Sequence, residues 1–162
     1  MIFDVEWLVK KVLFVCMGNI CRSPSAEAVF RDLVKKSGLE KEFVVDSAGT
    51  HSYHVGHQPD PRSIKAARKR GIEMKDLRAR QVVAEDFDRF DYLIAMDEAN
   101  LLGMTSLVSA DKQHKASLMM SYADTGYTEV PDPYYGQGDG FELVLDLLEQ
   151  ACQGLLNDIH DV

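Results

Sequence analysis

Four short apolar stretches recur along the chain, and helical patterns lie between them. Residues 12–15 (VLFV) form an unbroken apolar run, which predicts a buried parallel strand. A short loop over 16–22 follows. From Pro24 to about Lys36, Ala26, Val29, Phe30, Leu33 and Val34 fall on one helical face. Ser23 is the expected N-cap, Pro24 suits the first helical position, and Gly38 is the expected stop. A second strand is predicted at 43–45, running into Asp46-Ser47-Ala48-Gly49, then a polar loop over 50–61. A basic helix over 62–70 ends at Gly71. A third strand is predicted at 92–95 (YLIA), a helix near 98–103, and a last strand at 116–120. The segment 130–140 (VPDPYYGQGDG) is dense in chain breakers. A final helix over 141–159 carries Leu143, Val144, Leu147, Leu148, Ala151, Leu155 and Ile159 at helical spacing. This alternation predicts an α/β fold: a single domain with a four-stranded parallel sheet and helices on both faces. Ligand sites in such sheets lie at the carboxyl ends of the strands. Cys16, Gly49 and Asp97 each follow a predicted strand.

Composition narrows the classes. A chain of 162 residues, 46% hydrophobic, suits one packed domain. The net charge of −8 argues against nucleic acid or anionic membrane as partner, and no run is apolar and long enough to span a bilayer. Three cysteines are too few for a disulfide scaffold, and their odd number points to free thiols in a reducing, cytoplasmic setting. Residues 1–11 alternate Ile2, Phe3, Val5, Trp7 and Leu8 with Asp4 and Glu6. They lack the layout of a secretory signal and read as an N-terminal extension preceding a domain over 12–162.

The chemistry concentrates in Cys16-Met17-Gly18-Asn19-Ile20-Cys21-Arg22-Ser23. Successive amides of a loop entering a helix converge into an anion nest, reinforced by the helix dipole. Gly18 allows close backbone approach and Asn19 tolerates unusual backbone angles. Arg22 offers a planar fork for two phosphate oxygens. Cys16 lies at the loop's mouth, where the same positive field favours a thiolate nucleophile. The expected phosphate-binding loop thus follows the first strand. Asp132, stiffened by Pro131 and Pro133, is the candidate acid that protonates a phenolate leaving group and later accepts a proton from water. Tyr134 and Tyr135 are candidates for an aromatic wall.

CMGNICRSPSAEA after VLFV, DSAGT at 46–50, PDPR at 59–62, MDEAN at 96–100 and DPYYG at 132–136 together resemble the low-molecular-weight protein tyrosine phosphatases, in the family's order and over most of the chain. The resemblance implies a phosphocysteine on Cys16, with Arg22 binding the phosphoryl oxygens and Asp132 as acid, then base. It also implies that Ser23 eases departure of the Cys16 sulfur, that Ser47 helps hold a strained Asn19, and that Asp97 orients Arg22. Tyr53, Tyr134 and Tyr135 would line the entrance, Cys21 could pair with Cys16 on oxidation, and Tyr134 or Tyr135 could be phosphorylated, as in some relatives. The implied partners are tyrosine-phosphorylated proteins, a bacterial tyrosine kinase among the candidates, acted on by a monomer or weak dimer with no cofactor. Three features depart from the family: the longer N-terminal extension, tyrosine at position 53 where tryptophan is common, and Leu77 where some relatives carry histidine near 79–81.

Blander readings compete. Cys16 alone would be a core thiol, but the residues at fixed spacing around it argue otherwise. Cys152, on the apolar side of the last helix, is core. The spacing of Cys16 and Cys21 is wrong for a zinc knuckle. His51, His54 and His57 have no cysteine or carboxylate completing a metal set, so they read as a polar loop near the entrance, and no metal is assigned. Arg62, Lys65, Arg68, Lys69 and Arg70 read as a solvated, ion-paired face. An arsenate reductase of the same fold would need further cysteines, and none occurs between Ser23 and Ala151. A binding-only phosphotyrosine module would not need nucleophile, arginine and acid together.

Overall fold

The computed structural model describes residues 9–134 and 139–160. The expectations for residues 1–8 and for Tyr135 lie outside the described residues. Four strands, β1 (Lys10–Cys16), β2 (Phe43–Gly49), β3 (Tyr92–Ala95) and β4 (Ala116–Leu118), form one all-parallel sheet in the order β2-β1-β3-β4. Lys10 and Lys11, assigned from sequence to the extension, open β1.

The period-two pleat divides the core. Val12, Phe14 and Cys16 face α1 (Arg22–Lys36), α2 (Pro61–Arg68) and α5 (Gly140–His160), while Leu13 and Val15 pack toward α3 (Asp86–Arg89) and α4 (Glu98–Thr105). Helices therefore cover both faces, which is why β1 reads as an uninterrupted apolar run rather than an alternating one. Phe30 of α1 packs edge-on to Phe14 at 5.8 Å and to Phe43 at 5.4 Å, tying the helix to the two strands on either side of it in sequence.

Most expected elements occur, with changed boundaries. Helix α1 begins at Arg22, with Cys21 rather than Ser23 at its cap and no side-chain capping bond there. Ser23 lies within the first turn, and its hydroxyl is directed at Cys16 and Ala48 instead. The helix ends as expected: Gly38 takes φ 72°, and Leu39 N–H donates to the Val34 carbonyl at 2.8 Å. Helix α2 starts one residue earlier than expected because Asp60 caps it, accepting from the Arg62 amide at 2.8 Å. The fourth apolar run does not stay extended. It leaves the sheet after Leu118 in a 3₁₀ turn (Met119–Tyr122) that buries Met119 and Met120 beneath α5.

The three arginines of the basic segment are ion-paired, as read. Arg62 pairs with Asp60, Arg68 with Glu73, and Arg70 with Glu142, Asp146 and Glu149 on α5. The sheet register sets Cys16 beside Gly49 and Val15 beside Ala95, so the loops after β1, β2 and β3 meet at one end of the sheet.

Candidate active site

The loop after β1 is held from several sides. Thr50 and His51 amides donate to the Cys16 and Met17 carbonyls, both at 2.9 Å, and the Asp60 amide donates to the Ile20 carbonyl at 2.8 Å. Gly49 lies directly against it: a Cβ there would come within 2.7 Å of the Met17 carbonyl oxygen and 3.1 Å of the Asn19 nitrogen. Asn19 is buried at φ 56°, the left-handed conformation expected of it. Its amide nitrogen donates to Cys16 Sγ at 3.2 Å. Its side-chain Nδ2 donates to Ser23 Oγ at 2.8 Å and Ser47 Oγ at 3.0 Å, while its Oδ1 accepts from the Arg80 amide at 3.0 Å. Ser23 Oγ lies 3.0 Å from Cys16 Sγ. Ser47 in turn donates to Glu27 Oε1 at 2.7 Å, and Arg31 pairs with the other carboxylate oxygen. Burial pushes the Glu27 carboxyl above its ordinary value, outweighing the Ser47 hydrogen bond and the Arg31 charge.

Arg22 is nearly fully buried. Its Nη1 donates to Asp97 Oδ2 at 2.7 Å and to the Val130 carbonyl at 3.1 Å, and its Nη2 lies 3.6 Å from Asp132 Oδ2. Burial alone would lower its pKa, but the Cys16 sulfur and the Asp97 and Asp132 carboxylates outweigh that and hold the guanidinium above its usual value. Asp97 works twice: its Oδ1 caps α4 by accepting from the Asn100 amide at 2.7 Å. Asp132 reaches the same cleft from the far end of the chain, its Oδ1 accepting from the Tyr134 amide at 3.0 Å. Cys21 lies at the base of the same cleft, beside Asp60 and Ser63. Burial and the nearby Asp60 carboxylate push its thiol up to about 12, against a hydrogen bond from Ser63 that lowers it.

Cys16, Arg22, Asp132, Tyr53, His54 and Tyr134 line one cavity of about 230 Å³, with loop residues Met17, Gly18, Ile20 and Cys21 at its base. A phosphate-sized group could sit over the sulfur, with an aryl ring between the aromatic walls. A larger groove of about 640 Å³ runs along the outer edge of β2 and contains no expected catalytic residue. Of the expected entrance, Tyr53 is stacked on His51 and largely exposed, and Tyr134 is beside His54. Among the described residues no three His, Cys, Asp or Glu side chains converge as a metal site.

Sequence reasoning placed His54 in a polar loop near the entrance, where it lines the cavity wall, but missed four contributors: Glu27 beneath Ser47, the Arg80 amide on Asn19, the Val130 carbonyl on Arg22, and the Asp60–Arg62 pair beside the loop. For Asp60 and Arg62 a signal existed in the PDPR segment. The others arise from contacts between segments far apart in sequence.

Fold and site together define a single-domain α/β protein with a cysteine–arginine anion cradle at the carboxyl end of its sheet. The profile of the low molecular weight phosphotyrosine protein phosphatase family matches residues 11–161. The Schizosaccharomyces pombe low molecular weight phosphotyrosine protein phosphatase is 50% identical over 92% of this chain and 96% of its own. The Homo sapiens protein of the same name is 42% identical over 96% of this chain and 99% of its own. The crystal structure of a protein tyrosine phosphatase from Entamoeba histolytica superposes with a TM-score of 0.90 at 42% identity, covering 94% of this chain and 97% of that one. The chain belongs to the low-molecular-weight phosphotyrosine protein phosphatase family, and it is a hydrolase.

Proposed function

We propose that this enzyme hydrolyses phosphotyrosine in proteins through a phosphocysteine intermediate, with Asp132 as general acid and then general base. The reading rests on one observation: the Cys16 sulfur, the Arg22 guanidinium and the Asp132 carboxyl share a single cavity, although Asp132 lies more than a hundred residues from the loop. The Cys16 thiolate attacks phosphorus as the bond to the phenolic oxygen breaks, and protonated Asp132 gives that oxygen its proton. Arg22 and the loop amides hold the equatorial oxygens. Water, deprotonated by the Asp132 carboxylate, then attacks phosphorus. The sulfur–phosphorus bond breaks, and the Ser23 hydroxyl, 3.0 Å away, donates to the departing sulfur anion. Asn19 and Ser47 keep Ser23 oriented for that role.

The exposed Tyr53 and Tyr134 at the cavity rim favour an aryl phosphate presented on a protein surface, such as a tyrosine-phosphorylated protein or a bacterial tyrosine kinase. The buried free thiols suit a reducing, cytoplasmic setting. Under peroxide, Cys16 is oxidised to a sulfenic acid as the peroxide is reduced to water. The Cys21 thiol then attacks that sulfur, a disulfide forms, and the hydroxyl leaves with the thiol proton as water.

p-Nitrophenyl phosphate hydrolysis tests the assignment. It should persist in chelator and be blocked by vanadate. Cys16→Ser should abolish turnover yet retain phosphate affinity, and Asp132→Ala should slow phenyl phosphate hydrolysis by about 10²–10⁴-fold. Full turnover without Cys16 would sink the mechanism.

A further inference from the structure

We propose that Arg62 is a positioning residue for the general acid: it fastens the Asp132 loop to the phosphate loop and so fixes the distance between acid and nucleophile. The inference rests on the reading of Asp132 as the acid.

The two halves of the site come from opposite ends of the sequence, and Arg62 stands between them. On one side, its Nε and Nη2 make a two-pronged contact with the Asp60 carboxylate at 3.0 and 2.8 Å. The Asp60 amide is bonded to the Ile20 carbonyl of the phosphate loop at 2.8 Å. On the other side, Arg62 Nη2 donates to the Tyr134 carbonyl at 3.3 Å. The Tyr134 amide donates to Asp132 Oδ1 at 3.0 Å. The guanidinium also lies 5.6 Å from the Tyr134 ring centre and 4.7 Å from that of Phe141 at the start of α5, within reach of cation–π attraction. A continuous chain therefore runs from the phosphate loop through Asp60, Arg62 and Tyr134 to the acid.

Three features of Arg62 fit a tether better than a solvated surface charge. Its fork is matched to a carboxylate in a way an ammonium could not copy. The Asp60 it grips is nearly buried. Finally, Tyr134 and Phe141, both C-terminal to Asp132, each lie within cation–π reach of it, so the same group engages the chain that follows the acid at two points. Cys16, Arg22 and Asp132 do not touch it through any of these bonds, so its effect on catalysis must pass through the loop.

Acid positioning leaves a signature that general destabilisation does not. Transfer to sulfur needs the acid when the leaving phenol is a poor leaving group and hardly at all when it is a good one. The test measures kcat/KM across aryl phosphates from dinitrophenyl to phenyl for wild type, Arg62→Ala, Arg62→Lys, Asp132→Ala and the Arg62→Ala/Asp132→Ala double variant, with melting curves for each. Arg62→Ala should lose on the order of 10- to 10²-fold on phenyl phosphate and little on dinitrophenyl phosphate, with Arg62→Lys intermediate. In the Asp132→Ala background, removing Arg62 should cost almost nothing further, because there is no acid left to misplace. If Arg62→Ala does not fold, the graded loss in Arg62→Lys decides the matter alone. A loss equal for all leaving groups, or one that persists in the double variant, overturns the inference while leaving Asp132 as acid. A flat leaving-group profile in Asp132→Ala would overturn the acid assignment, and the inference with it.

Discussion

Asn19 concentrates the demands of the site in one residue. It is the one described non-glycine residue with positive φ, and its side chain makes three hydrogen bonds in a buried setting. Asn19→Gly keeps the backbone angle but leaves Ser23, Ser47 and the Arg80 amide short of a partner, a loss of about 1–3 kcal/mol. Asn19→Ala adds the left-handed penalty of about 1–2 kcal/mol. Urea unfolding should therefore rank wild type above Asn19→Gly above Asn19→Ala; an alanine variant as stable as the glycine one would mean the angle carries no strain. Cys21 makes a second residue-level prediction. Its thiol, raised to about 12 by burial first and the Asp60 charge second, stays protonated at neutral pH. Iodoacetamide at pH 7 followed by peptide mass mapping should label Cys16 and spare Cys21; modification of Cys21 at a comparable rate would contradict this. Cys16, Arg22, Asn19 and Ser23 were legible in the sequence because a short loop fixes their spacing. Glu27 and Arg80 were not, because a glutamate inside a helix and a backbone amide in a loop carry no local sign of the partner that the fold brings to them.

Elements meet closely where glycine permits it, and this too is only half visible in sequence. Gly49 ends β2 against the phosphate loop, so Gly49→Ala must displace the Met17–Asn19 backbone or be displaced by it. Because the strand itself is well anchored in the sheet, the loop should yield. The expected result is weakened vanadate binding and a fall in kcat/KM on the order of 10²-fold, with a smaller change in melting temperature. Unchanged vanadate affinity would show that the contact is slack. Gly154 in α5 is different: a Cβ there would overlap the Tyr122 carbonyl of the 3₁₀ turn. Gly154→Ala should cost stability, about 1–3 kcal/mol of overpacking, without altering the leaving-group profile. The same turn explains why the fourth strand was read too long. Residues 116–120 form one apolar run, but Met119 and Met120 are buried against α5, not within the sheet. Periodicity reports that a residue is buried; it does not report against which element. The 92–95 strand, central and apolar on both faces, was legible to the residue for the opposite reason.

At the scale of the whole molecule, the cysteine–arginine loop and the stability of the fold are coupled through Glu27. This carboxylate lies under the sheet end, about 2% exposed, with Ser47 linking it to Asn19 and so to Ser23 and the Cys16 sulfur. Its folded pKa stands above the ordinary 4.5, because burial outweighs the Ser47 bond and the Arg31 charge. The folded chain therefore binds more protons than the unfolded chain between the two values. Glu27's contribution to stability is accordingly full below 4.5 and is lost as pH rises through the raised folded value. Glu27→Gln keeps an oxygen to accept from Ser47 but cannot ionise, so it escapes that loss. It also gives up the pair with half-exposed Arg31, a contribution on the order of 0–1 kcal/mol. Urea unfolding of both proteins across this range should show Glu27→Gln weakest relative to wild type at the acid end. It should gain steadily on wild type as pH rises, with the orientation of Ser23 preserved and kcat on p-nitrophenyl phosphate close to normal. A gap that widened with pH would mean that the Arg31 pair outweighs burial and that Glu27 is held ionised. In that case Glu27→Gln should also lower kcat, since the hydroxyl of Ser47 would then be anchored by charge rather than by geometry.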